Sequence, residues 1–250
     1  MIEIKNVSHR LAGRPVLDRI DLTIEQGGVT ALIGPNGAGK STLLSLVARL
    51  QKLQQGEIVI DGQPMTQITD RALARQIAIM AQSDHIAARL RLSELVGFGR
   101  YPWHRGRPSA ADHAITDEAI ERFEIAAIKD RFLDEVSGGQ RQRARAAMAW
   151  AQGTEYLLLD EPLNNLDIAG ARDLMGLLRT MAAQGGKTVV VVLHDINYAA
   201  AFADRIVAMR AGRVVAKGTP NTVITRAMLS DVFDTQAEVI VHGGRPVVMV

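Results

Sequence analysis

Gly34-Pro35-Asn36-Gly37-Ala38-Gly39-Lys40-Ser41 is a glycine-rich run closed by a cation and a hydroxyl. Its glycines let consecutive backbone N–H groups face one point, and a helix starting behind them adds its positive end. Such a run is built to hold phosphate. With Thr42 it forms the expected nucleotide-binding set, in which Lys40 would bridge the β- and γ-phosphates of a nucleoside triphosphate and Ser41 would hold Mg²⁺ through its hydroxyl. A second cluster, Asp160-Glu161, directly follows the apolar run Tyr156-Leu157-Leu158-Leu159 and delivers two carboxylates from one strand end. Asp160 is then placed for the Mg²⁺ shell, and Glu161 for polarising the attacking water as a general base.

These groups need strands that end together. Val29 to Ile33 is an almost wholly apolar strand running into the glycine-rich loop, and Leu43, Leu44, Leu46, Val47 and Leu50 follow at helical spacing. Ile77 to Ala81, Tyr156 to Leu159 and Val189 to Leu193 are further buried strands, with a helix from about Ala169 to Ala183 between the last two. Short strands near Ile206 to Met209 and Val214 to Ala216 flank Gly212. Buried strands alternating with helices predict a mainly parallel sheet covered on both faces. Ile2, Ile4 and Val7, then Leu17, Ile20, Leu22 and Ile24, predict an antiparallel part at the start, and Ile58 to Ile60 before Asp61-Gly62 a strand and tight turn. From about Asp84 to Gly153 helical periodicity dominates, which predicts a helical insertion. The expected division is a nucleotide-binding core from 1–84 and 152–217, a helical part at 85–151, and a C-terminal helix and hairpin at 218–250.

The 250 residues are 47% apolar, enough for a sizeable core, with a formal net charge of +2 and no cysteine. So small a positive excess does not favour nucleic acid as a partner, and the missing thiols exclude disulfides and thiolate metal sites. No apolar run approaches bilayer length, so a membrane role would need another chain to supply the span. The ten aromatic residues begin only at Phe98. Five of the six histidines show no metal-ligand spacing; the sixth, His194, follows the strand Val189 to Leu193.

Val136-Ser137-Gly138-Gly139-Gln140-Arg141 stands 97 residues after Lys40, counted to Ser137, and 23 before Asp160. Ser137 can cap a helix starting there, with glycines leaving its first amides bare enough to meet a phosphate. In this order and spacing the set resembles the signature of ABC-type ATPases, whose usual leading Leu is Val136 here. The resemblance implies a P-loop NTPase, RecA-like α/β core with an N-terminal antiparallel β part and an inserted α-helical part. It implies that Ser137, Gly138, Gly139 and Gln140 act in trans on a partner's nucleotide. Gln82 looks like the glutamine that reaches metal and attacking water, Asp167 belongs to the D-loop, and His194 matches the histidine that senses the γ-phosphate. With Glu161 and Lys40, Gln82 and His194 make the expected catalytic set.

The family usually stacks adenine on an aromatic ring ahead of the phosphate loop; the aligned position is Leu11, beside His9 and Arg10, so weaker base discrimination is expected. The resemblance also implies ATP and Mg²⁺ as cofactors, a homodimer with two shared sites, and a polytopic membrane permease as partner. Phe98, Tyr101 and Trp103 are the expected permease-docking residues, since aromatics beside Arg make interface anchors. Gly99-Arg100-Tyr101-Pro102 and Pro162 to Asp167 look like the ATPases of iron-chelate importers serving siderophores, which implies an indirect link to an extracytoplasmic solute-binding protein and a place on the cytoplasmic face of the plasma (inner) membrane. Haem or cobalamin import, or a stand-alone ABC ATPase, stays open.

Overall fold

The computed structural model describes residues 1–81 and 89–249. Strands β1 (Ile2–Leu11) and β2 (Arg14–Ile24) pair antiparallel. The next strand, β3 (Gly28–Ile33), is buried from Val29 onward and runs through the glycine loop into helix α1 (Lys40–Val47). Strands β4 (Gln55–Ile60) and β5 (Gln63–Pro64) extend the first sheet to the order β2-β1-β4-β5. Helix α2 (Asp70–Gln76), N-capped by Thr69, leads directly into β6 (Ile77–Met80).

The helical insertion comprises α3 (Leu92–Phe98), α4 (Tyr101–His104), α5 (Ala110–Arg122) and α6 (Gly138–Ala151). Strand β7 (Tyr156–Asp160), helix α7 (Ile168–Gly185) and strand β8 (Thr188–Val192) return the chain to the core. Helix α7 runs somewhat past its expected bounds and ends where Gly186 turns to φ 61°. Helix α8 (Ile196–Phe202), strands β9 (Arg205–Arg210) and β10 (Arg213–Gly218), helices α9 (Pro220–Val223) and α10 (Arg226–Phe233), and the hairpin β11 (Glu238–His242) with β12 (Arg245–Met249) complete the fold. Among the described residues no helix is long and apolar enough to cross a membrane.

The main sheet has the order β10-β9-β3-β8-β7-β6, parallel except for β10. Its central strands are buried almost throughout and mostly apolar because both faces are covered. Val29, Ala31, Leu157, Leu159, Val189 and Val191 join the core shared with α6 and α7, while Leu32, Tyr156, Leu158, Val190 and Val192 join the core under α1 and the antiparallel sheet. The period of two along each strand makes this division. In register, Leu32 and Asp160 both pair with Val192, so β3, β7 and β8 end on one edge.

Candidate functional site

Everything chemical in the core gathers on that edge, as open parallel sheets arrange it. Gly34 has φ 147°, and a Cβ there would lie 2.1 Å from the Met209 carbonyl oxygen; Gly39 has φ 98°, with Leu17 Cδ2 2.6 Å from where a Cβ would stand. Only glycine fits either position. Lys40, 5% exposed, donates from Nζ to the carbonyl oxygens of Gly34 (2.7 Å) and Pro35 (3.0 Å), and burial lowers its pKa against the pull of Glu161 and Asp160.

Asp160 continues the phase of Tyr156 and Leu158 and so faces α1, where Ser41 Oγ donates to its Oδ1 at 2.9 Å. Burial raises the Asp160 pKa, the Ser41 hydrogen bond opposing. A hydroxyl and a desolvated carboxylate side by side form a hard-oxygen pair that fits Mg²⁺. Glu161 leaves the strand at φ 53°. Its Oε1 lies 2.6 Å from His194 Nε2, and its Oε2 accepts from Asn164 Nδ2 at 2.7 Å. Gln82 lies outside the described residues.

Ser137 Oγ accepts from Gln140 N (3.2 Å) while Gln140 Oε1 accepts from Ser137 N (3.1 Å), so the two ends of the first turn of α6 are capped reciprocally. Among the described residues no hydrogen bond joins 137–140 to the 34–42 loop. The glycines have a reason inside the chain: a Cβ on Gly138 would lie 2.9 Å from Asn165 Cβ, and one on Gly139 3.2 Å from Asn165 O. Asp167 Oδ1 accepts from Gly170 N at 2.7 Å and caps α7. Asn164 and Gln142, whose Nε2 donates to the Glu161 carbonyl oxygen at 3.0 Å, belong to this site too. Asn164 reaches the Glu161 carboxylate from three residues on, within the same turn, whereas Gln142 reaches its carbonyl across nineteen positions, which no local spacing announces.

The three aromatic residues expected at a docking face divide. Phe98 and Tyr101 are 52% and 55% exposed on a groove of 630 Å³ that also bears Glu94, Asp117, Lys129 and Asp130. Trp103 turns inward instead: its Nε1 donates to Gln152 O at 2.7 Å, and the guanidinium groups of Arg75 and Arg100 lie 4.6 and 5.1 Å from its ring centroid. Leu11, paired with Arg14 at the tip of β1–β2, is 42% exposed. Beside it, a cleft of 700 Å³ is walled by His9, Arg10, Val16, Leu17 and Arg213.

Residues 17–164 match the family model described as ABC transporter. The petrobactin import ATP-binding protein YclP of Bacillus subtilis (strain 168) is 44% identical over 94% of this chain and 93% of its own. The petrobactin import ATP-binding protein FatE of Bacillus anthracis is 42% identical over 96% of each. A dimeric ATP-binding cassette, solved in a post-hydrolysis state with ADP and Pi, superposes with a TM-score of 0.79 at 30% identity, over 88% of this chain and 98% of that one. The chain belongs to the ABC transporter family and is an ATP hydrolase.

Proposed function

We propose that the chain powers uptake of a ferric siderophore through a separate membrane permease, working as one half of a homodimer. The identity with two petrobactin import proteins along nearly the whole chain carries this reading. The experiment is radiolabelled iron–siderophore uptake by cells lacking the chain. Loss of uptake restored by the wild-type chain and not by Glu161→Gln supports the reading; unimpaired siderophore uptake, or loss confined to haem or cobalamin, overturns it.

In this reading the backbone N–H groups of Gly34 and of 36–39, shaped by Pro35, hold the β- and γ-phosphates with Lys40, and Thr42 adds its hydroxyl beside them. Ser41, Asp160 and Gln82 would hold Mg²⁺, which would supply charge neutralisation at the phosphates. Glu161 polarises the attacking water, held in orientation by His194 and Asn164. Ser137, Gly138, Gly139 and Gln140 present the α6 end to the partner's nucleotide, because within one chain they stay apart from the loop. Asp167 lies at the same junction. A two-fold dimer then encloses two nucleotides.

Phe98 and Tyr101 serve as anchors for a cytoplasmic segment of the permease. Arg100 and Asp112 of the groove pair with each other, and the remaining carboxylates Glu94, Asp117 and Asp130 against Lys129 favour a segment that brings a cation with its apolar residues. Residues 85–151 act as the moving helical part on the 1–84 and 152–217 core, with 218–250 closing it. The chain sits peripherally at the cytoplasmic face of the plasma (inner) membrane, with an extracytoplasmic solute-binding protein linked only through the permease.

A further inference from the structure

We infer that Gln142 is a positioning residue that ties the general base of one nucleotide site to the helix end serving the other. The inference rests on the dimer reading above. Gln142 lies one turn inside α6, is 7% exposed, and its Nε2 donates to the carbonyl oxygen of Glu161 at 3.0 Å. That carbonyl also accepts from Asn164 N at 3.3 Å. Glu161 stands at φ 53°, a backbone state that L side chains adopt only when their surroundings hold them there. A buried amide that lost its acceptor would be penalised, so a shift of α6 carries the Glu161 carbonyl with it.

Two further contacts make the first turns of α6 and the 161–166 turn a single body. A Cβ on Gly138 would lie 2.9 Å from Asn165 Cβ, and one on Gly139 3.2 Å from both Asn165 O and Leu166 Cδ2, so a side chain at either position would press on that turn. The same helix thus begins at Ser137, which faces the partner's phosphate, and grips at Gln142 the backbone of the base acting on its own chain's nucleotide. Phosphate capture at one site therefore sets Glu161 at the other. The consequence is concerted firing of the two sites.

The test is Gln142→Leu, which keeps the helix and the volume and removes the donor. Turnover of ATP should fall roughly fivefold to tenfold, the loss of one hydrogen bond at the reacting centre. KM should stay within about twofold, and the positive cooperativity of wild-type turnover should drop to a Hill coefficient near 1. Gln142→Glu, which offers no donor when ionised, should do the same if Gln142→Leu folds poorly. A folded variant with wild-type turnover and cooperativity overturns the inference, as does a wild type with no cooperativity. Gel filtration of Glu161→Gln with ATP separates the two levels: a monomer overturns the dimer reading itself, whereas a trapped dimer with unchanged cooperativity in Gln142→Leu overturns the coupling alone.

Discussion

His194 Nε2 lies 2.6 Å from Glu161 Oε1. The contact sets the imidazole edge directly against the carboxylate that the proposed function makes the general base. Neighbouring strand ends make this possible, since β7 and β8 pair in register to Asp160 and Val192. Glu161→Gln is expected to cut phosphate release by about 10²–10⁴-fold while nucleotide binding stays within severalfold. His194→Ala should lower kcat by a smaller factor. Parallel losses of binding and turnover in Glu161→Gln would show that the carboxylate holds nucleotide and does not act on water.

Leu11 offers an aliphatic side chain at the aligned base-stacking position, where a ring would contribute about 1–3 kcal/mol. ATP and GTP should therefore turn over at comparable rates at subsaturating concentration. Leu11→Tyr should tighten ATP binding about tenfold, read by titration calorimetry. Strict selectivity for ATP in the wild type would contradict this account.

Trp103 and its neighbours Phe98 and Tyr101 should separate in their effects. Arg71 Nε and Arg75 Nε donate to Pro102 O, at 2.9 and 3.2 Å, and Arg71 Nη2 to Trp103 O at 3.1 Å, so two turns of α2 cap the end of α4. Gln152 closes the junction by donating to Ala74 O and Ile77 O. Trp103→Ala is expected to destabilise the fold by about 2–3 kcal/mol, seen in chemical denaturation. Phe98→Ala with Tyr101→Ala should leave basal ATPase and stability unchanged and abolish permease-coupled transport. Unchanged transport in that double variant would remove the groove from the docking reading.

Asp112 is held by Ser109, which donates from both hydroxyl and backbone, and by Arg100 Nε at 3.0 Å. The Ser109 bonds, then Arg100, bring its pKa down from 3.8 to about 2. Because the folded state prefers the ionised form, the stabilisation is complete above the ordinary carboxylate value and disappears as pH falls through about 2. Asp112→Asn should thus melt lower than wild type at pH 7, with the gap closing between about pH 4 and pH 2. A gap independent of pH would assign the loss to packing.

Much of the nucleotide edge was legible in the residues themselves. A glycine loop between an almost wholly apolar strand and a helix has few backbone solutions, and Gly34 and Gly39 indeed stand where no Cβ fits. Apolar strands at 29–33, 156–159 and 189–193 declared a parallel sheet, because only burial on both faces tolerates such runs. Ser137 as a helix cap followed from local chemistry in the same way. What the tertiary structure alone decided were the partners. Ser41 meets Asp160 across 119 positions because the sheet order β3-β8-β7 aligns their strand ends. Phe98, Tyr101 and Trp103 are alike as a sequence, and only the arginines of α2 draw Trp103 inward while the other two stay outside. Likewise, Gln142 becomes part of the site only because α6 packs on the turn after β7. Periodicity and turn chemistry act over a few neighbouring residues, whereas side-chain partners are set by packing between segments that the chain separates widely.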